Sequence, residues 1–233
     1  MNEISFIDYK KYAIDKGVNG NTLDAYKKHV NSIISPSIIE ERQLNAVTMD
    51  VYSRLIMDRI IFLGTGINDD VANIIASQLM YLNSIDDTAD IKLFINSGGG
   101  SCTDGLVIYD IMNWVDCDVA TYGMGMAASM ASVLLSSGAK GKRYALPHAR
   151  IMIHQPMSGL SPYTQESDFK IAYDELAKCK DTLFTILAEN TGKSKEEIIS
   201  DGDRDHWLSP EEALPKVYGK YGVIDKIITK DKK

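Results

Sequence analysis

An α/β fold with a largely parallel sheet is what this sequence predicts, and three observations predict it. From about Asp50 onward, short apolar runs alternate with segments of helical periodicity. Several of those runs end in glycine or small polar residues, where a strand would turn into a helix. A chain of 233 residues that is 45% hydrophobic and 24% charged has the composition of one sizeable globular domain.

Residues 1–37 differ from the rest, being rich in Tyr, Lys and Asn and broken at Gly17-Val18-Asn19-Gly20-Asn21. Leu23, Tyr26, Val30, Ile33 and Ile34 recur at roughly helical spacing before Ser35-Pro36 marks a boundary. This stretch reads as an N-terminal extension, either loosely attached or a pro-segment removed on maturation; residues 38–233 read as the folded domain. Ile60 to Leu63 is a short buried strand closed by Gly64-Thr65-Gly66. A helix follows through Val71, Ile74, Ile75, Leu79 and Leu82, behind Asp69 and Asp70, which suit the positive end of its dipole. Ile91 to Ile95 predicts a second strand, and Leu106, Ile108, Tyr109, Met112 and Val115 a second helix.

Val119 to Tyr122 predicts a third strand and Ala127 to Ser136 a third helix. No charge occurs between Val119 and Ala139, nearly the length of a membrane span, but the glycines and serines inside it favour a buried strand, turn and helix in series. Lys140, Lys142 and Arg143, with Gly138 and Gly141, read as a turn before a strand. Ile151 to Ile153 is a further strand, and the longest helix runs from about Thr164 to Asn190, stopping at Gly192. Ser194-Lys195-Glu196-Glu197 and Ser209-Pro210-Glu211-Glu212 both have the form of a capped helix start.

Composition excludes several function classes. A net charge of −7 and no clustered Lys/Arg face argue against nucleic acid as a partner. Cys102, Cys117 and Cys179 are too few and scattered for a disulfide framework or a metal site, and no histidine pair has metal-ligand spacing, so no metal is expected. No apolar signal segment is visible, which points to a reducing, cytoplasmic setting.

Three features carry chemistry. Gly98-Gly99-Gly100, after a strand and before a helix, reads either as a tight turn or as a nest of backbone N–H groups suited to an anion; with no phosphate-loop motif, a developing oxyanion is the better-supported anion. Ser129 lies among small residues at a strand–helix junction, with room for a substrate and a following N–H that can join the oxyanion hole. His154 ends an apolar strand 25 residues later and is the candidate general base. The acid that should orient it lies in Asp201-Gly202-Asp203-Arg204-Asp205, where spacing selects no single aspartate. The GxSxG elbow of α/β-hydrolases is missing.

These stretches resemble the Clp protease proteolytic subunits, the ClpP family. The resemblance rests on Tyr52-Ser53-Arg54-Leu55, Asn96-Ser97-Gly98-Gly99-Gly100, Tyr122 through Met130, Gly138 through Arg143, Met152-Ile153-His154-Gln155-Pro156 and Asp203-Arg204-Asp205, in order from about Ile38 to the C-terminus. It implies a crotonase-like fold of repeated ββα units with a protruding handle helix near residues 164–190. It implies a serine endopeptidase with Ser129 as nucleophile, His154 as base, Asp205 as acid, and the N–H groups of Gly100 and Met130 as oxyanion donors. It also implies two stacked heptameric rings, fourteen subunits in all. Asp168 and Arg204 would form an ion pair linking ring contact to the active site, and the N-terminal extension would include an axial segment. A Clp-family AAA+ unfoldase would consume ATP and feed in unfolded polypeptide, so this chain needs no cofactor of its own.

Four departures stand out. Gly98 replaces a usual proline, the stretch between His154 and Asp168 is two residues longer, Ser209 to Tyr221 carries extra residues including Pro215, and Lys92 replaces a frequent aromatic of the unfoldase-docking pocket, which Phe94 and Tyr144 fit. The alternatives are a crotonase-type acyl-CoA enzyme, which would use glutamates, and a non-catalytic ring subunit, which would have lost a triad member.

Overall fold

The computed structural model describes residues 37–42, 45–159, 161 and 163–230. The helix expected over residues 23–34 lies outside them, as does almost all of the 1–37 extension. The elements are β1 (Ser37–Arg42), β2 (Asn45–Asp50), α1 (Val51–Met57), β3 (Ile60–Leu63), α2 (Asp69–Ile85), β4 (Ile91–Ser97), α3 (Cys102–Trp114), β5 (Val119–Ala128), α4 (Met130–Ser136), β6 (Arg143–Ala145), β7 (Arg150–Ile153), α5 (Glu166–Thr191), α6 (Lys195–Asp201), β8 (His206–Leu208) and β9 (Lys226–Ile227). β1 and β2 form an antiparallel pair of their own. The other seven strands form one sheet, with β3-β4-β5-β6-β9 in sequence, β7 beside β5, and β8 beside β7. Every pairing in that sheet is parallel except β7 with β8. The predicted α/β class with a mostly parallel sheet is what forms.

Local sequence accounts for the elements. Asn68 caps α2 by accepting from the Val71 N–H, with Asp69 and Asp70 in the first turn, and Ile74, Ile75, Leu79 and Leu82 of that helix are fully buried. In β4, Ile91, Leu93, Ile95 and Ser97 alternate inward. The other face carries a row of rings. Phe62 is in register with Phe94, Phe94 with Tyr122 and Tyr122 with Tyr144, and successive ring centroids lie 4.5–6.4 Å apart.

The expectation of a strand stopping at Tyr122 needs correcting. β5 continues to Ala128, and α4 begins at Met130 rather than Ala127. Gly123 and Gly125 mark not a turn but a bulge: Ile95 pairs with Gly123, and Ser97 already with Ala127. Gly125 takes φ +61°, and the Met126 N–H donates to Asn96 Oδ1 at 3.2 Å. Before the bulge β5 pairs with β6; after it, with β7. The bulge therefore hands the end of β5 to a new neighbour.

α5 is the long helix, at 26 residues, and Gly192 ends it in the left-handed conformation. Its buried side chains (Leu183, Phe184, Ile186, Leu187 and Thr191) all lie in the last third, so the first part projects from the body. Phe169, Ile171 and Tyr173 are more than half exposed there. α6 starts with both capping-box bonds of Ser194 and Glu197. The second predicted start behaves differently. Ser209 and Glu212 make the same reciprocal bonds, yet the segment is a run of turns. Pro215 removes the next backbone donor and Lys216 sits at φ +68°, so helix cannot propagate. No helix among the described residues is long and apolar enough to cross a membrane.

Candidate active site

Three adjacent strands assemble the site. Ala128 is in register with Met152 on β7, which places Ser129 just past the end of β5 beside His154, just past the end of β7. Ile153 pairs with His206 on antiparallel β8, so Asp205 meets His154 from the other side. His154 Nε2 lies 2.8 Å from Ser129 Oγ, and His154 Nδ1 lies 3.0 Å from Asp205 Oδ1. The imidazole is largely buried, at 11% exposure, whereas the Asp205 side chain is 60% exposed. Of the aspartates that spacing could not separate, Asp205 is the one against the histidine. Asp203 instead accepts from the Gln155 amide.

Ser129 has φ +56° and ψ −128°, a conformation that costs a non-glycine residue on the order of 1–3 kcal/mol. Its N–H donates to the Met152 carbonyl at 2.9 Å, and its own carbonyl accepts from both the N–H and the hydroxyl of Ser132. The backbone is thus held by bonds on both sides while the hydroxyl projects at the sharp turn between β5 and α4.

The glycine loop packs against this turn. A Cβ at Gly99 would sit 2.7 Å from Ser129 Cβ and 2.6 Å from the Ala128 carbonyl, and at Gly100 it would sit 2.2 Å from the Ile67 carbonyl. Both residues have positive φ, so only glycine fits. Ile67 donates to the Gly99 carbonyl and accepts from Ser101, which leaves the Gly100 N–H out of this crossing. The Met130 N–H, in the first turn of α4, likewise lacks an intrahelical acceptor. Gly98 differs from its neighbours: a Cβ there would meet only Met126 Cε at 3.9 Å, so space does not demand glycine.

A cavity opens beside the serine, lined by Cys102, Met130, Val133, Leu183 and Leu187 with His154 at its edge. Its wall joins α3, α4 and α5.

The family model described as Clp protease matches residues 42–231. The chain belongs to the Clp protease family. A curated Clp relative from Porphyromonas gingivalis, named ATP-dependent Clp protease proteolytic subunit, is 53% identical over 227 residues, covering 97% of this chain and 99% of the relative. A namesake from Bacteroides fragilis is 50% identical over 224 residues, covering 96% and 99%. One from Streptococcus pneumoniae is 48% identical over 193 residues, covering 83% of this chain and 96% of its own. The first two Clp matches take in most of the N-terminal extension.

Asp168 and Arg204 are not brought together within one chain. Asp168 lies in the first turn of α5, and Arg204 donates to the Asp203 carbonyl at 3.0 Å. Sequence reasoning did not single out Gln155 and Lys180. The Gln155 N–H donates to the Gly202 carbonyl at 2.7 Å and its side-chain amide to the Asp203 carbonyl at 2.9 Å. Its Oε1 accepts from Lys180 Nζ at 2.8 Å. These bonds clamp the Asp205 loop to the residue after His154 and to α5. Gln155 stood beside the histidine in the His-Gln-Pro block; Lys180 had no sequence signal.

Proposed function

We propose that this chain is a serine endopeptidase subunit that cleaves unfolded polypeptide through an acyl-enzyme, with Ser129 as nucleophile, His154 as base and Asp205 as its orienting acid. The observation that carries the reading is the continuous Ser129–His154–Asp205 contact, 2.8 and 3.0 Å long. His154 Nε2 takes the Ser129 proton as Oγ attacks the peptide carbonyl; Asp205 holds the proton-bearing Nδ1 toward itself. The N–H groups of Gly100 and Met130 receive the oxyanion, and His154 then protonates the departing amine. Water, deprotonated by His154, frees the acyl group. The three side chains and the two backbone donors supply every step, so the reading needs no cofactor or metal in this chain.

The assembly belongs to the same proposal. Phe169, Ile171 and Tyr173 on the projecting part of α5 form apolar surface that stacking of two heptameric rings would cover. The Asp168–Arg204 pair would form between subunits at that contact. The half-buried ring row from Phe62 to Tyr144 is a surface for an AAA+ unfoldase, which would consume the ATP, with Lys92 exposed beside it. A cytoplasmic location goes with these partners. Nothing in the site favours an acyl-CoA enzyme, whose glutamates have no counterpart among the three interacting side chains.

Labelling tests the reading directly. A fluorophosphonate probe is expected to add covalently to the assembled protein at Ser129, located by peptide mass; assembled protein left unlabelled would sink the peptidase reading. Gln155→Ala is expected to lower kcat by roughly 10- to 100-fold with a smaller change in KM, because it frees the Asp205 loop without touching substrate. Steady-state hydrolysis of a fluorogenic peptide reads both parameters.

A further inference from the structure

β4 turns Ile91, Leu93 and Ile95 inward, and the next inward position is Ser97, which is 3% exposed. A buried hydroxyl in an apolar row is costly unless it is hydrogen-bonded. Ser97 Oγ accepts from the Gly99 N–H at 3.1 Å, and Gly99 is itself buried. The bond reaches from a strand residue in register with Ala127 into the glycine loop. Peptide planarity carries its consequence to Gly100. Ser97 orients the Gly98–Gly99 peptide unit through its N–H. Ile67 orients the next unit, since its N–H donates to the Gly99 carbonyl at 2.9 Å. That unit is planar and trans, so its own N–H, on Gly100, points opposite to the carbonyl and away from Ile67. Between the two pinned units lie only the φ and ψ of Gly99, which has φ +89° and no Cβ to restrict it. Ile67 acts through its backbone, whereas Ser97 acts through a side chain that substitution can remove.

We propose that Ser97 is a positioning residue for hydrolysis: by occupying the Gly99 N–H it fixes the glycine loop so that the Gly100 N–H, and not that of Gly99, faces the oxyanion. This rests on the peptidase reading above and deepens it. Ser97 touches no substrate and acts through the loop alone. Without its hydroxyl the Gly99 N–H is a buried donor with no acceptor, and the Gly98–Gly99 unit turns to find one. Gly99 packs against the turn of the nucleophile, where an added Cβ would lie 2.7 Å from Ser129 Cβ and 3.0 Å from the Met130 nitrogen. Rotation at Gly99 therefore moves the Gly100 donor relative to both Ser129 and the Met130 N–H. Misplacing a group by about 1 Å can cost roughly 100-fold in rate, and deleting one oxyanion donor costs about 100- to 1000-fold. A misdirected donor falls at the lower end of that scale, so Ser97→Ala is expected to lower kcat by about 10- to 100-fold.

The experiment uses full-length, assembled parent, Ser97→Ala and Ser97→Thr proteins, the last keeping the Oγ acceptor. Hydrolysis of a fluorogenic peptide is expected to show the kcat loss in Ser97→Ala with KM within about three-fold of the parent, and recovery in Ser97→Thr. Two inhibitors separate positioning from general damage. A peptide aldehyde, which adds to Ser129 and forms a tetrahedral oxygen, should bind Ser97→Ala at least about ten-fold more weakly; the matching peptide alcohol, which cannot add, should bind as it does to the parent. Ser77→Ala removes a different buried hydroxyl, one bonded to the Asn73 carbonyl within α2, and should hydrolyse peptide normally. Amide hydrogen exchange, read by mass on peptides that resolve Gly99, should quicken in Ser97→Ala. A kcat near that of the parent, equal losses for aldehyde and alcohol, a correctly assembled Ser97→Thr protein as impaired as Ser97→Ala, or unchanged exchange at Gly99 would each overturn the proposal. Activity and fluorophosphonate labelling of the parent test the peptidase reading by themselves, and exchange at Gly99 tests the Ser97 bond without needing activity.

Discussion

Peptide hydrolysis by Ser129→Ala protein is expected to fall by about 10⁴- to 10⁶-fold, the scale of losing the nucleophile of a serine–histidine–aspartate triad. Removing Oγ leaves His154 Nε2 without its 2.8 Å neighbour and removes the only atom that can carry the acyl group in the proposed mechanism. Folding should survive. The backbone bonds that hold this turn, from Ser129 N–H to Met152 and from Ser132 to the Ser129 carbonyl, do not involve the side chain. Alanine at φ +56° keeps the strain already present, so a stability change below about 1 kcal/mol is expected. Assembly measured by sedimentation should match the parent while hydrolysis of a fluorogenic peptide drops to background. Hydrolysis within ten-fold of the parent, in protein shown free of contaminating peptidase, would reject Ser129 as the nucleophile.

Much of this site was legible in the sequence because its parts lie at the ends of apolar runs. His154 follows Ile151-Met152-Ile153 directly, and Ser129 follows the uncharged stretch from Val119. What periodicity could not show was how the ends meet. The transfer of β5 from β6 to β7 depends on a bulge whose sequence sign, two glycines around Met124, is identical to that of a turn. Asp205 was legible only through the family resemblance. β8 has three residues, too few for an alternation pattern, yet its register with β7 is what separates Asp205 from Asp203. The Ser209 start shows the opposite case, since its capping bonds form although no helix follows. A local motif fixes local bonds; propagation depends on the residues beyond it.

Positions that hold elements together at a distance left still less trace. Arg143 read only as part of a basic turn, but its guanidinium is 3% exposed and joins four parts of the chain. Nε and Nη2 donate to Asp225 at 3.0 and 2.6 Å, and the remaining bonds go to the carbonyls of Ser136, Asn190, Tyr221 and Gly222. These acceptors lie at the ends of α4 and α5 and in the turns before β9. Because α4 carries Met130 at its other end, this anchor also sets where the proposed oxyanion donor sits.

Arg143→Met is therefore expected to destabilise the fold by about 3–5 kcal/mol, since it takes the cation from a half-buried carboxylate, left with backbone donors alone, and leaves several carbonyls unpaired. At fixed protein concentration that corresponds to a fall of roughly 10 °C in Tm for a domain of this size. Replacing Asp225 by Leu in the same chain should restore part of the loss, because the stranded charge is then gone while the carbonyls remain unpaired. Acid distinguishes the variants further. Burial pushes the Asp225 carboxyl up, but the bonds from Arg143 outweigh it and hold the group below its usual value of 3.8. A lowered folded-state pKa means the stabilisation is complete above the unfolded-state value and is lost as pH falls through the folded one. The parent should thus lose stability below about pH 4, while Asp225→Asn, already weakened at neutral pH, should lose less over the same range. Denaturant midpoints between pH 3 and 7 read the difference. Parallel pH curves for the two proteins would show that the carboxylate is not what holds this corner.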